Sequence, residues 1–232
     1  MARDSLVDAL VTRIRDDILT LRYPPGSMLP AERELAAGYG VTRTTLKHAL
    51  VRLAQAGLVE TRHGVGTAVL DYRRRGGPEL LPLLLSHSLN DPAGPDVGWL
   101  DEIFEVRADI GTRITALAAQ RRTAADLQKL HDQHAAVGAA PDADSAQIAE
   151  SELHRMLAEA SGNRVYVLMV NSLMHTYLEV RYLFQAPFVD PVAAGHRLTP
   201  LLAAVSAGDA TAARAAAARY LEQTRRLMLG EI

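Results

Sequence analysis

Arg43 and Lys47 lie four residues apart, a spacing that projects both side chains from one face of a helix. Thr42, Thr44 and Thr45 set hydroxyls around Arg43. Arginine matches the O6 and N7 acceptors of guanine in bidentate fashion, worth about 1–3 kcal/mol of discrimination per good pair. Lysine supplies a more flexible point charge. Threonine hydroxyls are short enough to meet phosphate oxygens at a helix N-terminus, although Thr42 serves equally well as an N-cap. Arg33 is placed to reach the phosphate backbone or a groove, or to pair with Glu32 or Glu34. His63 and Gly64, in the run HGVG, suit a loop tip entering the neighbouring minor groove, glycine allowing close backbone approach. These residue types in this order point to reading double-stranded DNA.

Such side chains work only if short helices and a hairpin hold them. Leu46, Ala49, Leu50 and Leu53 recur at i, i+3, i+4 and i+7, the buried stripe of a helix running from Thr42 to about Ala56. Gly57 suits its left-handed exit. Before it, Pro30 precedes AERELAAGYG, a short helix with Leu35 and Ala36 inward. Earlier still, Leu6, Leu10, Ile14, Ile18 and Leu21 sit at helical spacing, and YPPG at Tyr23–Gly26 stops that helix. LVETR and TAVL read as two strands flanking HGVG. Three helices and a wing fill the first 70 or so residues, a winged helix-turn-helix.

The charge distribution agrees. Residues 1–75 hold 12 Lys+Arg against 8 Asp+Glu, while the remainder holds 13 against 19, so a net charge of −2 hides a basic front and an acidic back. No apolar run is long enough to span a membrane, and no signal peptide pattern opens the chain. Cysteine is absent, which removes disulfides, thiolate metal sites and cysteine nucleophiles, and a cytoplasmic protein is expected.

DYRRRGGP at Asp71–Pro78 is the linker candidate, its three arginines either tracking phosphates or simply solvated. The expected division is a DNA-binding domain over 1–72, a linker over 73–79 and an all-α domain over 80–232. That second domain reads as about seven helices, near 79–89, 97–120, 123–137, 143–160, 164–186, 190–207 and 209–229. The chain is thus mainly α. It offers no nucleophile with an oriented base and no glycine-rich phosphate loop, so an enzyme is not expected.

RYPPGSMLPAERELAAGYGVTRTTLKHALVRLAQAGLVETRHGVGT resembles, along its whole length, the winged helix-turn-helix of GntR-type bacterial transcription regulators. The resemblance implies binding to a palindromic operator as a homodimer, through Arg33, Thr42, Arg43, Thr44, Thr45, Lys47, His63 and Gly64. FEVRADI at 104–110, ESELHRMLAEASGNRVY at 150–166 and the closing helix after AGDATAARAAA resemble the FadR branch of that family.

Many members of that branch hold a metal through an Asp-x-x-x-His pair and two later histidines. Here Glu150 and His154 keep the i, i+4 pair as weak metal candidates, but counting from Gly208-Asp209 places Leu198 and Tyr220 at the later positions. His196 lies two residues from Leu198, about 200° around a helix. No metal or other cofactor is therefore expected. Fatty-acid-responsive members of the branch also lack those ligands, and SGNRVYVLMVNSLMHTYLEVRYLFQAP resembles them. The resemblance implies a small-molecule effector, an acyl-CoA or related lipid, near Arg107, His154, Asn171, Tyr177 and Tyr220. The alternative is a small carboxylate sensed through a divalent metal. From its residues alone, Arg107 serves an effector's acidic or thioester oxygen, or a structural ion pair with Glu105, Glu102 or Glu179; the tyrosines suit a lipid pocket or an ordinary core.

Overall fold

The computed structural model describes residues 2–62, 64–89 and 97–230, and its chain separates into two units, residues 1–92 and 93–232. The first opens with α1 (Ala2–Leu19), which packs along α3 (Arg43–Gln55). Leu10, Ile14 and Ile18 face inward as their spacing predicts, joined by Val7 and Val11. Leu6 and Leu21 do not: Leu6 is exposed on the outer side of α1, and Leu21 lies beyond the helix end, where it turns the chain at φ 62°. α2 (Glu32–Tyr39) ends at Gly40 in the left-handed region, and the chain turns directly into α3. Tyr39 donates its hydroxyl to Asp17 of α1, fixing α2 to α1.

The α3 stripe is closed, with Leu46, Ala49 and Leu53 fully buried and Leu50 nearly so. Gly57 follows at φ 73°, and a Cβ there would stand 3.1 Å from the Arg75 carbonyl oxygen, so conformation and space both require glycine. Strands β1 (Val59–Arg62) and β2 (Gly66–Val69) pair antiparallel with Val59 opposite Val69 and Arg62 opposite Gly66. Met28 bridges to Ala68 beside them.

The stretch read as a linker begins with a helical turn, α4 (Tyr72–Arg75), capped by the Asp71 side chain on the Arg73 N–H, with its arginines exposed. After a 3-10 turn at Pro78–Leu80 comes α5 (Leu81–Leu89), which packs on α1 within the first unit. Buried Leu80, Leu84 and Leu85, and the 3.0 Å contact of His87 Nδ1 with Asp16 of α1, explain why residues 80–89 join this unit. The sequence reading had assigned them to the helical domain.

The second unit is all helical among its described residues. α6 (Val97–Arg121) lies against α11 (Ala210–Leu229) and α8 (Ala143–Ala160). α7 (Ala124–Gly138) and α9 (Arg164–Val180) flank α8, and α10 (Pro191–Ala207) packs on α7 and α11. The boundaries follow their caps. Thr123 and Asp126 form a capping box on α7, while Asp142, Asn163, Asp190 and Asp209 cap the later helices. Arginines at the end of α6 close two other helix C-termini: Arg122 donates to the carbonyls of Val205 and Ser206 on α10, and Arg121 to that of Ser161 after α8.

The helix expected over 79–89 begins as a helix at Leu81, and the one expected over 164–186 is the most shortened, ending at Val180 before two 3-10 turns, Arg181–Leu183 and Ala186–Phe188. The cause is Gln147. Fully buried on α8, it presents its amide nitrogen to the Tyr177 hydroxyl at 2.7 Å and to the carbonyls of Arg181 and Phe184 at 3.0 Å. Those carbonyls are thereby held by a side chain instead of a continuing helix. Leu153, at the centre of the core, has no exposed surface. Leu153→Ala should cost about 2–5 kcal/mol, read as a lower urea midpoint with an unchanged slope.

Candidate functional site

The start of α3 is exposed and has no acidic residue in its own first turn. Thr42 caps it, its Oγ1 accepting from the Thr45 N–H at 3.1 Å and lying 2.9 Å from Thr45 Oγ1. Both hydroxyls are thus engaged in the cap, and Thr44 projects outward. No acidic residue occupies the first turn, so the partial positive charge of the free N–H groups is available to an anion.

Arg43 and Lys47 emerge together, 63% and 60% exposed, and both approach Glu32 Oε2, at 3.8 and 4.0 Å. Glu32 is thus the acidic partner of both cations, a pairing that the spacing of Arg43 and Lys47 alone does not announce. Arg33, which was weighed against Glu32 and Glu34, makes no ion pair among the described residues. A groove between the helices and the hairpin brings Arg33, Arg43, Thr61, Arg62 and Gly64 together. Arg62 is a second basic residue that sequence reasoning passed over, since it reads as an ordinary strand end. His63 lies outside the described residues.

The second cluster is centred on Glu150 of α8, a carboxylate with 2% of its side chain exposed. Three donors from three helices converge on its Oε1. They are Tyr220 Oη at 2.7 Å from α11, His154 Nε2 at 2.6 Å one turn along α8, and Arg107 Nη2 at 3.3 Å from α6. Arg107 therefore pairs with none of Glu102, Glu105 or Glu179. Burial opposes ionisation of Glu150, but positive charge at His154 and Arg107 and the Tyr220 hydrogen bond overcome it and lower its pKa from 4.5 to about 2. Burial, reinforced by the Glu150 charge, pushes the Tyr220 hydroxyl far above its ordinary value. Tyr177 is also raised, chiefly by burial.

Arg107 stands between two small apolar voids. One, of about 50 Å³, is walled by Leu100, Phe104, Leu173, Thr176, Tyr177 and Phe184. The other, of about 30 Å³, is bounded by Ile110, Ile114, His154, Val170 and Leu221. Arg107, His154, Tyr177 and Tyr220 are thus gathered around one polar centre in an apolar setting. Asn171 is not among them. It lines an outer groove between α8 and α9, with Ile148, Met174 and His175.

A winged helix-turn-helix whose α3 start is exposed and basic, followed by an all-helical unit built on a buried polar cluster, defines a DNA-binding transcription regulator. Residues 6–69 match the family model described as bacterial regulatory proteins, gntR family, and residues 102–223 match the FCD domain. The chain belongs to the GntR family of bacterial regulators, of the type that carries an FCD domain, and is a regulator rather than an enzyme.

Relatives include an uncharacterised HTH-type transcriptional regulator, Rv0494, of Mycobacterium tuberculosis, 35% identical over 94% of this chain and 88% of that protein. A fatty acid metabolism regulator protein of Serratia proteamaculans is 35% identical over 75% of this chain and 70% of its own length. Among solved structures, one titled for Lar, which controls the Listeria monocytogenes agr system, aligns over 99% of this chain and 97% of its own. Its TM-score is 0.65 at 16% identity, a likeness of fold.

A divalent metal does not suit this centre. Leu198 is buried in the core and has no donor atom, Tyr220 already donates to Glu150, and the Arg107 guanidinium occupies the cationic position beside the carboxylate. No group of three His, Cys, Asp or Glu side chains stands close enough to share an ion among the described residues.

Because the folded-state pKa of Glu150 is depressed, its ionised form adds stability above about pH 4.5, and that stability is lost as pH falls toward about 2. Thermal unfolding between pH 2.5 and 7 should show Glu150→Gln less stable at neutral pH and flatter on the acid side. Parallel wild-type and variant curves would assign the acid loss to other groups.

Proposed function

We propose that the protein binds a palindromic operator as a homodimer and releases it when a fatty acyl-CoA or related lipid metabolite enters the cavity beside Arg107. The observation that carries this reading is the Arg107–Glu150–His154–Tyr220 cluster set between apolar walls. An acyl chain has the leucine, methionine and phenylalanine side chains to displace, and its thioester oxygen has a guanidinium to meet. Kinship with proteins named fatty acid metabolism regulators supports the lipid class. The voids are far smaller than the roughly 150 Å³ that admits benzene, so this conformation is the closed one. Entry of a long chain requires α9 to move from α8 and α6.

On the DNA, Arg43 and Lys47 exchange Glu32 for base edges in the major groove. Thr44, with the capped α3 terminus shaped by Thr42 and Thr45, meets phosphate. Arg33 reaches backbone or groove, and His63 and Gly64 bring the wing to the minor groove. Two reading helices one DNA turn apart are needed for a tight site, hence the homodimer. Effector binding shifts the population toward a form with the wrong spacing. These activities place the protein in the cytoplasm. No described helix is long and apolar enough to cross a membrane.

Two outcomes test this. Arg43→Ala should remove specific operator retardation in a mobility-shift assay while leaving the circular dichroism unchanged; retained affinity would contradict the reading-helix assignment. Long-chain acyl-CoA should raise the melting temperature and release operator from the wild type, with Arg107→Gln losing at least about tenfold of the response. Release by a small carboxylate plus metal instead would transfer the site to the other effector class.

A further inference from the structure

Three polar groups in the cavity beside Arg107 keep hydrogen-bonding capacity that the fold leaves unused, and they differ in kind. The first is Glu150, which borders the cavity. Its three donors, Tyr220, His154 and Arg107, all fall on Oε1. Oε2 takes no hydrogen bond among the described residues. The carboxyl is ionised at neutral pH, so Oε2 accepts and cannot donate. The second is Arg107, which engages Glu150 through Nη2 alone. The rest of its fork makes no hydrogen bond among the described residues.

The third is the Tyr177 hydroxyl. Gln147 Nε2 stands 2.7 Å from it, and an amide nitrogen only donates, so Tyr177 accepts there and keeps its own proton. That proton has no acceptor among the described residues. Gln147 Oε1 does not take it, being buried without any partner. Burial raises the pKa of the hydroxyl, which therefore stays a neutral donor. Thr176, the other hydroxyl on this wall, is already engaged with the Ser172 carbonyl at 3.0 Å. The remaining wall, from Leu100 and Phe104 to Leu173 and Met228, is apolar.

We infer that the cavity is built for an acyl chain bearing a hydroxyl one or two carbons from its carbonyl. The carbonyl oxygen accepts from Arg107 and Tyr177, and the hydroxyl donates to Glu150 Oε2. A plain acyl thioester has acceptor oxygens only. It answers Arg107 and Tyr177 but offers nothing to an ionised carboxylate oxygen, and a buried acceptor left without a donor is costly. A free fatty acid anion fits less well still, because it brings a like charge beside Glu150. A hydroxyl supplies the one donor that is missing. Its place on the chain follows from the geometry: Arg107 Nη2 lies 3.3 Å from Glu150 Oε1, so the two ligand groups must also be close neighbours. The three protein groups come from α6, α8 and α9, which makes the site handed, and one configuration at the hydroxyl-bearing carbon fits.

This selectivity rests on the lipid reading above, and calorimetric titrations of the full chain separate the two. The probes are acyl-CoAs of one chain length: plain, and hydroxylated one or two carbons from the carbonyl, each as separate enantiomers. One hydroxylated enantiomer should bind roughly tenfold or more tighter than the plain chain, and its mirror image should not. Tyr177→Phe should weaken plain and hydroxylated chains alike and leave their ratio unchanged. Glu150→Gln, with its helicity checked by circular dichroism, should bring that ratio close to unity; should this variant not fold, the enantiomer preference of the wild type decides. Wild type that binds the plain chain as tightly as every hydroxylated one would overturn the inference and spare the lipid reading. Binding of none of the probes would overturn both. A preference that persists in folded Glu150→Gln would overturn the assignment of the hydroxyl to Glu150.

Discussion

A carboxylate taken out of water must be surrounded by donors, and Glu150 imposes that requirement on three helices at once. Tyr220 fixes α11, Arg107 fixes α6, and His154 holds the side chain along α8 itself. Removing one partner of such a cluster leaves the others with uncompensated charge, which is why its geometry is all-or-none. The surrounding apolar packing supplies most of the stability of the helical unit, but the cluster decides which faces of α6, α8 and α11 meet.

The same arrangement creates a point of sensitivity. Arg107, partly exposed while Glu150 is buried, lies between two voids too small for an organic ligand. An anionic or carbonyl group that reached Arg107 would compete with Glu150 for it and wedge α9 outward. That helix packs chiefly on α8, so it is the wall that yields most easily. In the first unit Glu32 lies likewise beside two cations, 3.8 Å from Arg43 and 4.0 Å from Lys47. In both units a protein carboxylate stands beside the cations that the proposed partners would meet.

Much of this was legible in the sequence because it is local. Leu46, Ala49, Leu50 and Leu53 specify the buried side of α3 by spacing alone, and Thr123, Gly162-Asn163 and Gly208-Asp209 mark helix ends through capping. What stayed hidden depends on residues distant in the chain. The end of α9 is set by Gln147, on another helix, and the partner of Arg107 is 43 positions away. The grouping of residues 80–89 with the first unit follows from their packing on α1, which no local signal announces. One miss was avoidable. Asn171 and Tyr177 are six residues apart, about 120° from each other around a helix, so they could not easily face one pocket.

The central claim is that the cavity beside Arg107 and the operator are energetically linked, and linkage is reciprocal. The most direct measurement is a calorimetric titration of long-chain acyl-CoA into the protein, free and saturated with operator DNA. The account predicts weaker acyl-CoA binding to the DNA-bound form, by the same factor that acyl-CoA weakens operator binding. Equal acyl-CoA affinity in the two titrations would contradict it.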